Sequence, residues 1–299
     1  MTHPCFLFSR YTSRMSDVDQ DPKRLESDPA QPQDVVVDVR DLIHRYDEQV
    51  VLNDISVQVR RGEVLAIIGG SGSGKSTLLK CMLGTLTPLQ GSVEVLGVDM
   101  INASEREREA VYKNCGIVYQ AGALFGSMTV EDNVALPLRQ HSNLDPKIID
   151  IAVRMKLGLV RLAGFEGRMP NQLSGGQAKR VAFARAIAMD PQILFCDEPS
   201  AGLDPRIGRG IDDLIRNLNR AFNMAIVVVT HDMESVKVIA DRVLMLDPQA
   251  GGAQVVFSGT VDELNACEDP VVREFVRREP LHEPRSEAME VLRQLVGGD

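Results

Sequence analysis

The 299-residue chain has no long apolar run; the longest unbroken one, 224–229, has the length of a single strand. A membrane-spanning helix takes about 20 apolar residues, so any work at a membrane must go through a partner. Positive charge is in deficit: 33 Lys and Arg stand against 42 Asp and Glu, for a net charge of −9. That balance argues against nucleic acid as a partner, although it does not exclude a local basic patch. Cysteine is sparse as well. Cys5, Cys81, Cys115, Cys196 and Cys267 are odd in number, far apart and free of any C-x-x-C pair. They read as free thiols in a reducing compartment, which excludes a disulfide frame and a zinc site. What is present is ordinary globular composition, 44% hydrophobic and 25% charged, enough to bury the core of one large domain or two ordinary ones.

Residues 1–33 read as a tail. Within it, 1–16 carries Arg10 and Arg14, several Ser and Thr, and no acid. That composition is similar to a targeting peptide, but the apolar part 5–8 is too short for a secretory signal. A plain tail, or a true start at Met15, is the preferred expectation. The acidic, Pro-containing stretch 17–34 is expected to be disordered. Order is expected from Val35 onward. Residues 35–39 are rich in valine, and Ile55, Val57 and Val59 alternate as in a half-buried strand. The apolar runs 64–68, 116–119, 193–196 and 225–230 are those of strands covered on both faces. Between them, Ile207, Ile211, Leu214, Leu218 and Phe222 share one helix face. Strands alternating with helices predict an α/β fold with a mainly parallel sheet. The stretch 122–185 lacks strong strand runs and reads as an inserted helical subdomain. The main domain is expected over 34–267, followed by a C-terminal extension over 268–299. In that extension 279–284 reads as a linker, and Met289, Leu292 and Val296 mark a short helix over 286–296.

Gly69-Gly70-Ser71-Gly72-Ser73-Gly74-Lys75-Ser76-Thr77 fits G-x-x-x-x-G-K-[ST], with a buried strand before it and a helix from about Lys75 after it. The residue types suit a phosphate. Glycines let several backbone N–H groups converge on its oxygens. The helix start adds about half a positive charge. Lys75 supplies a mobile cation for the β- and γ-phosphates, and the Ser76 hydroxyl is a candidate ligand for Mg²⁺. Downstream, the apolar strand 193–196 ends in Asp197 and Glu198. Asp197 is the candidate for a second magnesium contact through water. Glu198 is the candidate general base that polarises the attacking water.

Leu173-Ser174-Gly175-Gly176-Gln177 opens a helix expected to run to about Met189, with exposed backbone N–H groups at its start. This is a second anion-seeking helix tip, and one chain has a single phosphate loop to offer it. A two-fold dimer in which each chain presents the tip to the other's nucleotide is the economical solution.

With these residues the chain resembles the nucleotide-binding subunits of ABC transporters, over about 35–267. The resemblance implies a P-loop NTPase core with a mainly parallel sheet, an antiparallel β subdomain and an inserted helical subdomain. It implies ATP hydrolysis with Mg²⁺. It identifies Gln120 as the Q-loop glutamine, in contact with the magnesium shell or lytic water. Ser200-Ala201-Gly202-Leu203-Asp204 is then the D-loop, His231 the histidine that touches the γ-phosphate, and Tyr46 the aromatic that stacks on adenine. Ser174, Gly175, Gly176 and Gln177 would meet the partner subunit's nucleotide. The other histidines, His3, His44, His141 and His282, are expected at the surface.

A finer likeness lies in 119–139 and in Met169-Pro170 and 269–275. These segments resemble the ATPases of Mce-type lipid transport, meaning the Mla phospholipid system of Gram-negative bacteria and its plastid counterpart. The partners implied are a second ATPase subunit, a transmembrane permease, an Mce-domain lipid-binding protein and a STAS-domain protein. The seat implied is the cytoplasmic face of the inner membrane, peripheral through the permease, with the plastid envelope as the alternative. Ala121, Ala123, Leu124, Phe125 and Met128 would face a groove for the permease, or else pack in the core. An ABC importer ATPase for an amino acid or a metal stays open as a second reading. A DNA-repair or chromosome ATPase is disfavoured, because no sustained heptads separate Lys75 from Ser174. A translation factor would need tandem domains.

Overall fold

The computed structural model describes residues 34–277. The tail over 1–33, with His3 and Cys5, and the linker and helix expected over 279–296, with His282, lie outside the described residues. Within them the strands form one ten-stranded sheet in the order β5-β4-β1-β2-β10-β9-β3-β8-β7-β6. The members are β1 (Val35–Tyr46), β2 (Gln49–Arg60), β3 (Val64–Gly69), β4 (Gln90–Val95), β5 (Val98–Asp99), β6 (Cys115–Val118), β7 (Ile193–Asp197), β8 (Ala225–Val229), β9 (Arg242–Gln249) and β10 (Gly252–Gly259). One end of the sheet is antiparallel, where β1 pairs with β2 and β4. The other end is parallel, through β9, β3, β8, β7 and β6. The expected fold class is the observed one.

The apolar runs have a direct structural meaning. In β8, Ala225, Val227 and Val229 point into one core, while Ile226 and Val228 point into another. Ile193 and Phe195 of β7 join the first core, and Leu194 and Cys196 the second. A strand with helices on both faces has no solvent side, so alternation disappears from its sequence. The helices are α1 (Lys75–Met82), α2 (Glu105–Tyr112), α3 (Val130–His141), α4 (Pro146–Leu159), α5 (Gly175–Ala186), α6 (Pro205–Phe222), α7 (Met233–Ile239), α8 (Val261–Ala266) and α9 (Pro270–Arg277). Helix α1 covers the first core with Leu78, Leu79 and Met82. Helices α3, α4, α5 and α6 share the second core with strands β7 and β8. The helical stretch therefore has no core of its own. Helices α8 and α9 bury Leu264 and Val272 against Ala66, Ile68 and Met245.

Two readings change. Strands β4, β9 and β10 were not visible in the pattern, because β4 is short and half-exposed and β9 carries Pro248 near its end. His44 is not a surface residue. It is 6% exposed, neither ring nitrogen has a hydrogen-bond partner, and it meets Tyr46 edge to face at 4.9 Å. On β1 it shares the inward face with Leu42, whose periodicity it follows. Cys81, Cys115, Cys196 and Cys267 are free thiols, as expected, and no described helix is long and apolar enough to cross a membrane.

A buried acid cluster ties α6 to α7. The Ser235 hydroxyl lies 3.0 Å from Asp212 Oδ2 and 3.2 Å from Asp232 Oδ2. One hydroxyl proton cannot serve two carboxylates, so protonation of Asp212 lets Ser235 donate to Asp232, while Asp212 Oδ1 stays buried without a partner. Burial pushes the Asp212 carboxyl up to about 6, helped by Asp232 and Asp213 and opposed by the Ser235 hydrogen bond. The folded chain thus binds this proton more tightly than the unfolded one. The resulting stabilisation is present at low pH and lost as pH rises from about 4 to about 6, by up to roughly 3 kcal/mol. Asp212→Asn is expected to melt higher than the parent protein at pH 8 and to flatten this part of the stability profile. Melting curves of the two proteins across pH 4 to 8 that run parallel would refute the assignment.

Candidate functional site

The register of the parallel strands brings the site together. Ile67 of β3 and Asp197 of β7 both pair with Val229 of β8. One or two residues beyond these positions, Gly69, Glu198 and His231 therefore emerge at one edge, at the carboxyl ends of the strands. That edge is where open parallel sheets bind ligands.

The loop after β3 turns on glycine. Gly69 has φ 146°, and a Cβ there would come within 2.2 Å of the Leu246 carbonyl oxygen. Gly74 caps α1 with φ 81° and packs on Leu52 of β2. Gly70, Ser71 and Gly72 are at least partly exposed at the crest, and Ser73 is buried beneath it. The Lys75 ammonium donates to the carbonyls of Gly69 at 2.9 Å and Gly70 at 2.7 Å, and reaches the Ser73 hydroxyl at 3.3 Å. Burial pulls its pKa down, while Glu198 and Asp197 hold it up. Ser76 and Thr77 lie in the first turn of α1, and the Ser76 hydroxyl favours the ionised form of the Asp197 carboxyl. Asp197 is pushed up, first by burial and then by the adjacent Glu198, and is restrained by Lys80, Ser76 and Lys75. A hydroxyl and a crowded carboxylate facing each other make a donor set suited to a hard divalent cation.

Glu198 stands at the centre. Its Oε1 is 2.7 Å from His231 Nδ1, and Thr230 Oγ1 approaches Oε2 at 3.4 Å. His231 is largely exposed and Glu198 largely covered. Tyr46 ends β1 opposite Gln49 and is 44% exposed. It heads the hairpin whose second strand carries Leu52 against Gly74.

The Ser174-Gly175-Gly176-Gln177 segment starts α5 with a reciprocal cap: the Ser174 hydroxyl accepts from the Gln177 N–H, and Gln177 Oε1 accepts from the Ser174 N–H. Gly176 is buried under Ile207 of α6, whose Cγ2 would sit 2.5 Å from an added Cβ. Ile207 nevertheless remains exposed although it follows the apolar periodicity of its helix. Asp204 caps α6 by accepting from the Arg206 N–H. Gln120 is exposed, and the loop after it is held from beneath. Buried Asn133 accepts from the Phe125 N–H and donates toward the carbonyls of Phe125, Met128 and Thr129. Arg185 donates to the carbonyls of Ala123 at 2.8 Å and Gly122 at 3.1 Å. Phe125 remains half exposed, with Ala121 and Ala123 open beside it, while Leu124 packs into the second core.

Sequence reasoning missed Asn133, Arg185 and Lys179. Lys179 is 7% exposed, with its ammonium on the carbonyls of Gln120 and Glu198. The available signal was a lysine on the buried stripe of α5, between Gly176 and Phe183.

The family model described as ABC transporter matches residues 52–201. The chain is 40% identical over 244 residues to the intermembrane phospholipid transport system ATP-binding protein MlaF of Haemophilus influenzae, covering 82% of this chain and 91% of that protein. It is 36% identical over 249 residues to the probable ribonucleotide transport ATP-binding protein mkl of Mycobacterium leprae, covering 83% and 71%. Among solved structures it is similar to the ATP-binding cassette MJ0796, a dimer bound to ADP and Pi, with a TM-score of 0.67, 29% identity, and coverage of 75% of this chain and 98% of that one.

Replacing Lys75 removes the cation nearest the loop carbonyls. Lys75→Ala is expected to weaken binding of a fluorescent ATP analogue by at least about tenfold, given one charge-assisted contact in a partly buried site. An equilibrium titration giving the parent affinity would remove Lys75 from the binding role.

Proposed function

Because the chain belongs to the ABC transporter ATP-binding family, and is an ATPase of that family, we propose that it powers the movement of phospholipid between membranes. The observation that carries the cargo is the 40% identity to MlaF across 91% of that protein. The mkl relative, named for ribonucleotide transport, supports the second reading, an importer ATPase for another solute.

In this reading the loop 69–74 and the first turn of α1 hold the ATP phosphates through converging N–H groups, and Lys75 bridges the β- and γ-phosphates. Tyr46 stacks on the adenine. Ser76, Asp197 and Gln120 are the residues that would hold Mg²⁺, and the ion would supply charge neutralisation at the phosphates. Glu198 takes the proton of the attacking water as the water oxygen bonds to the γ-phosphorus. The bond to the bridging oxygen breaks, giving ADP and phosphate. His231 holds the carboxylate in place through its 2.7 Å contact and reaches the γ-phosphate with its other ring nitrogen. Ser174, Gly175, Gly176 and Gln177 of one protomer complete the pocket of the other, and Asp204 lies at that boundary. Two chains close on two nucleotides and part after hydrolysis.

The permease is met through the loop after Gln120, where exposed Phe125 stands on a frame fixed by Asn133 and Arg185. An Mce-domain lipid carrier and a STAS-domain protein are the further partners. This seats the chain at the cytoplasmic face of the inner membrane through the permease, with the plastid envelope as the second seat. The extension over 268–299 begins with α9, packed on the third core.

Glu198→Gln is expected to keep ATP binding and to slow steady-state hydrolysis by roughly 10²–10⁴-fold, the usual cost of losing a general base. Turnover near the parent rate would reject the base. Phe125→Asp is expected to leave the basal hydrolysis of the isolated chain unchanged and to abolish copurification with the permease. A complex that still forms and still moves lipid would end the docking assignment. For the cargo, the native complex is purified and its bound small molecules are identified by mass spectrometry. Phospholipid together with an Mce-domain subunit is the expected result; a solute-binding protein in its place overturns the lipid reading.

A further inference from the structure

Lys179 is a charged side chain in a place where charge is costly. It sits on α5 one turn beyond Gly176, 7% exposed, among Val181, Ala182 and Phe183 of the same buried helix. Burying an ammonium requires full compensation by hydrogen bonds or opposite charge. Here the partners are two backbone carbonyls: that of Gln120, in close contact, and that of Glu198, at 3.3 Å. Its neighbour on the helix has a different task, because Arg180 donates to the carbonyls of Val160 and Gly210 and so fixes α5 to its helical surroundings.

Both recipients of charge from α5 include strained backbone. Glu198 adopts φ 47° and Ala123 φ 49°. The left-handed region is unfavourable for residues with a Cβ, and such residues persist only where neighbouring contacts over-determine them. Glu198 is held on two sides. Its N–H donates to the Val229 carbonyl at 2.9 Å, and its own carbonyl takes Lys179. The Ala123 carbonyl takes Arg185, one and a half turns further along the same helix. Helix α5 thus clasps the backbone at Glu198 and at both ends of the 120–123 loop, and its first turn is the Ser174–Gln177 cap.

We propose that Lys179 is a positioning residue for ATP hydrolysis, tying the helix that follows the Ser174–Gln177 segment to the backbone of both Glu198 and Gln120. Displacement of α5, when its tip engages the second protomer's nucleotide, then shifts the carboxylate and the 120–123 loop together. Hydrolysis is coupled to closure by a strut within the chain, in addition to the contacts across the dimer. The inference rests on the reading of Glu198 as general base.

The test is steady-state hydrolysis of Mg·ATP by the full chain, with Lys179→Met and Lys179→Arg beside the parent. Met keeps length and burial and removes every donor. Arg keeps the charge and its donors. The expected pattern is a fall in kcat of at least about tenfold for Lys179→Met with KM for ATP within about threefold of the parent, and recovery of most of the rate in Lys179→Arg. A strut that only stabilises the fold would lower melting temperature and active fraction without this split. If Lys179→Met does not fold, Lys179→Gln is measured in its place: its shorter, uncharged amide can serve one carbonyl but not span both, so a smaller fall in kcat with KM for ATP within about threefold of the parent is expected, and a kcat equal to the parent's overturns the proposal. A kcat near the parent value, a KM that rises in step with the loss of kcat, or a failure of Arg to restore the rate each overturns the proposal. The parent reading is scored separately. A parent protein that hydrolyses ATP and loses turnover in Glu198→Gln, while Lys179→Met is unaffected, sinks the strut alone; a parent protein without turnover sinks both.

Discussion

The register of the parallel ladder is the constraint on which the site depends. Ile67 and Asp197 are both opposite Val229, the Thr230 N–H donates to the Ile67 carbonyl, and the Glu198 N–H donates to the Val229 carbonyl. A shift of one residue in any of these pairings would turn every side chain of that strand to the other face. It would exchange the contents of two cores and carry Glu198 away from His231. Burial on both faces makes such a slip expensive, so packing far from the chemistry sets its geometry. The phosphate-binding loop, the carboxylate pair and the histidine are fixed by the same hydrogen bonds that build the sheet.

At that edge the charges are crowded and only partly solvated. Burial and the adjacent Glu198 raise the cost of ionising Asp197, and Lys80 and Lys75 offset it. The same two carboxylates keep a half-buried Lys75 charged. A site balanced in this way is suited to a ligand that brings both negative phosphates and a divalent cation, since each half of the ligand answers one half of the protein's charge. The contacts of Glu198 add direction, because His231 engages one carboxylate oxygen and the Thr230 hydroxyl approaches the other.

Helix α5 has a second function beside covering the sheet. Small residues let α6 come close at Gly176, apolar ones fill the second core, and Lys179, Arg180 and Arg185 end on backbone carbonyls of other elements. Charge on a helix usually serves solvation. Here it replaces hydrogen bonds that irregular loops cannot make for themselves. The loop after Gln120 keeps a defined shape while leaving Phe125 outward, through Asn133 below and Arg185 beside it.

Much of this was legible before any coordinates. The glycines, Lys75, Ser76, Asp197 and Glu198 announce themselves because phosphate chemistry needs those residue types at local spacing, and the strands β3, β7 and β8 because two-sided burial writes continuous apolar runs. Other features had no local signature. Strands β4, β9 and β10 exist through long-range pairing. His44 is buried because β1 sets it on the inward face with Leu42, against the usual place of a polar side chain. The targets of Lys179 and Arg185 are backbone atoms far along the chain, and backbone carbonyls look alike in any sequence. The sequence by itself determined which side chains are competent to bind and hydrolyse a triphosphate. Only the tertiary structure decided which of them meet and what holds them, because hydrogen bonds to carbonyls and pairing between distant strands depend on position in space and not on residue type.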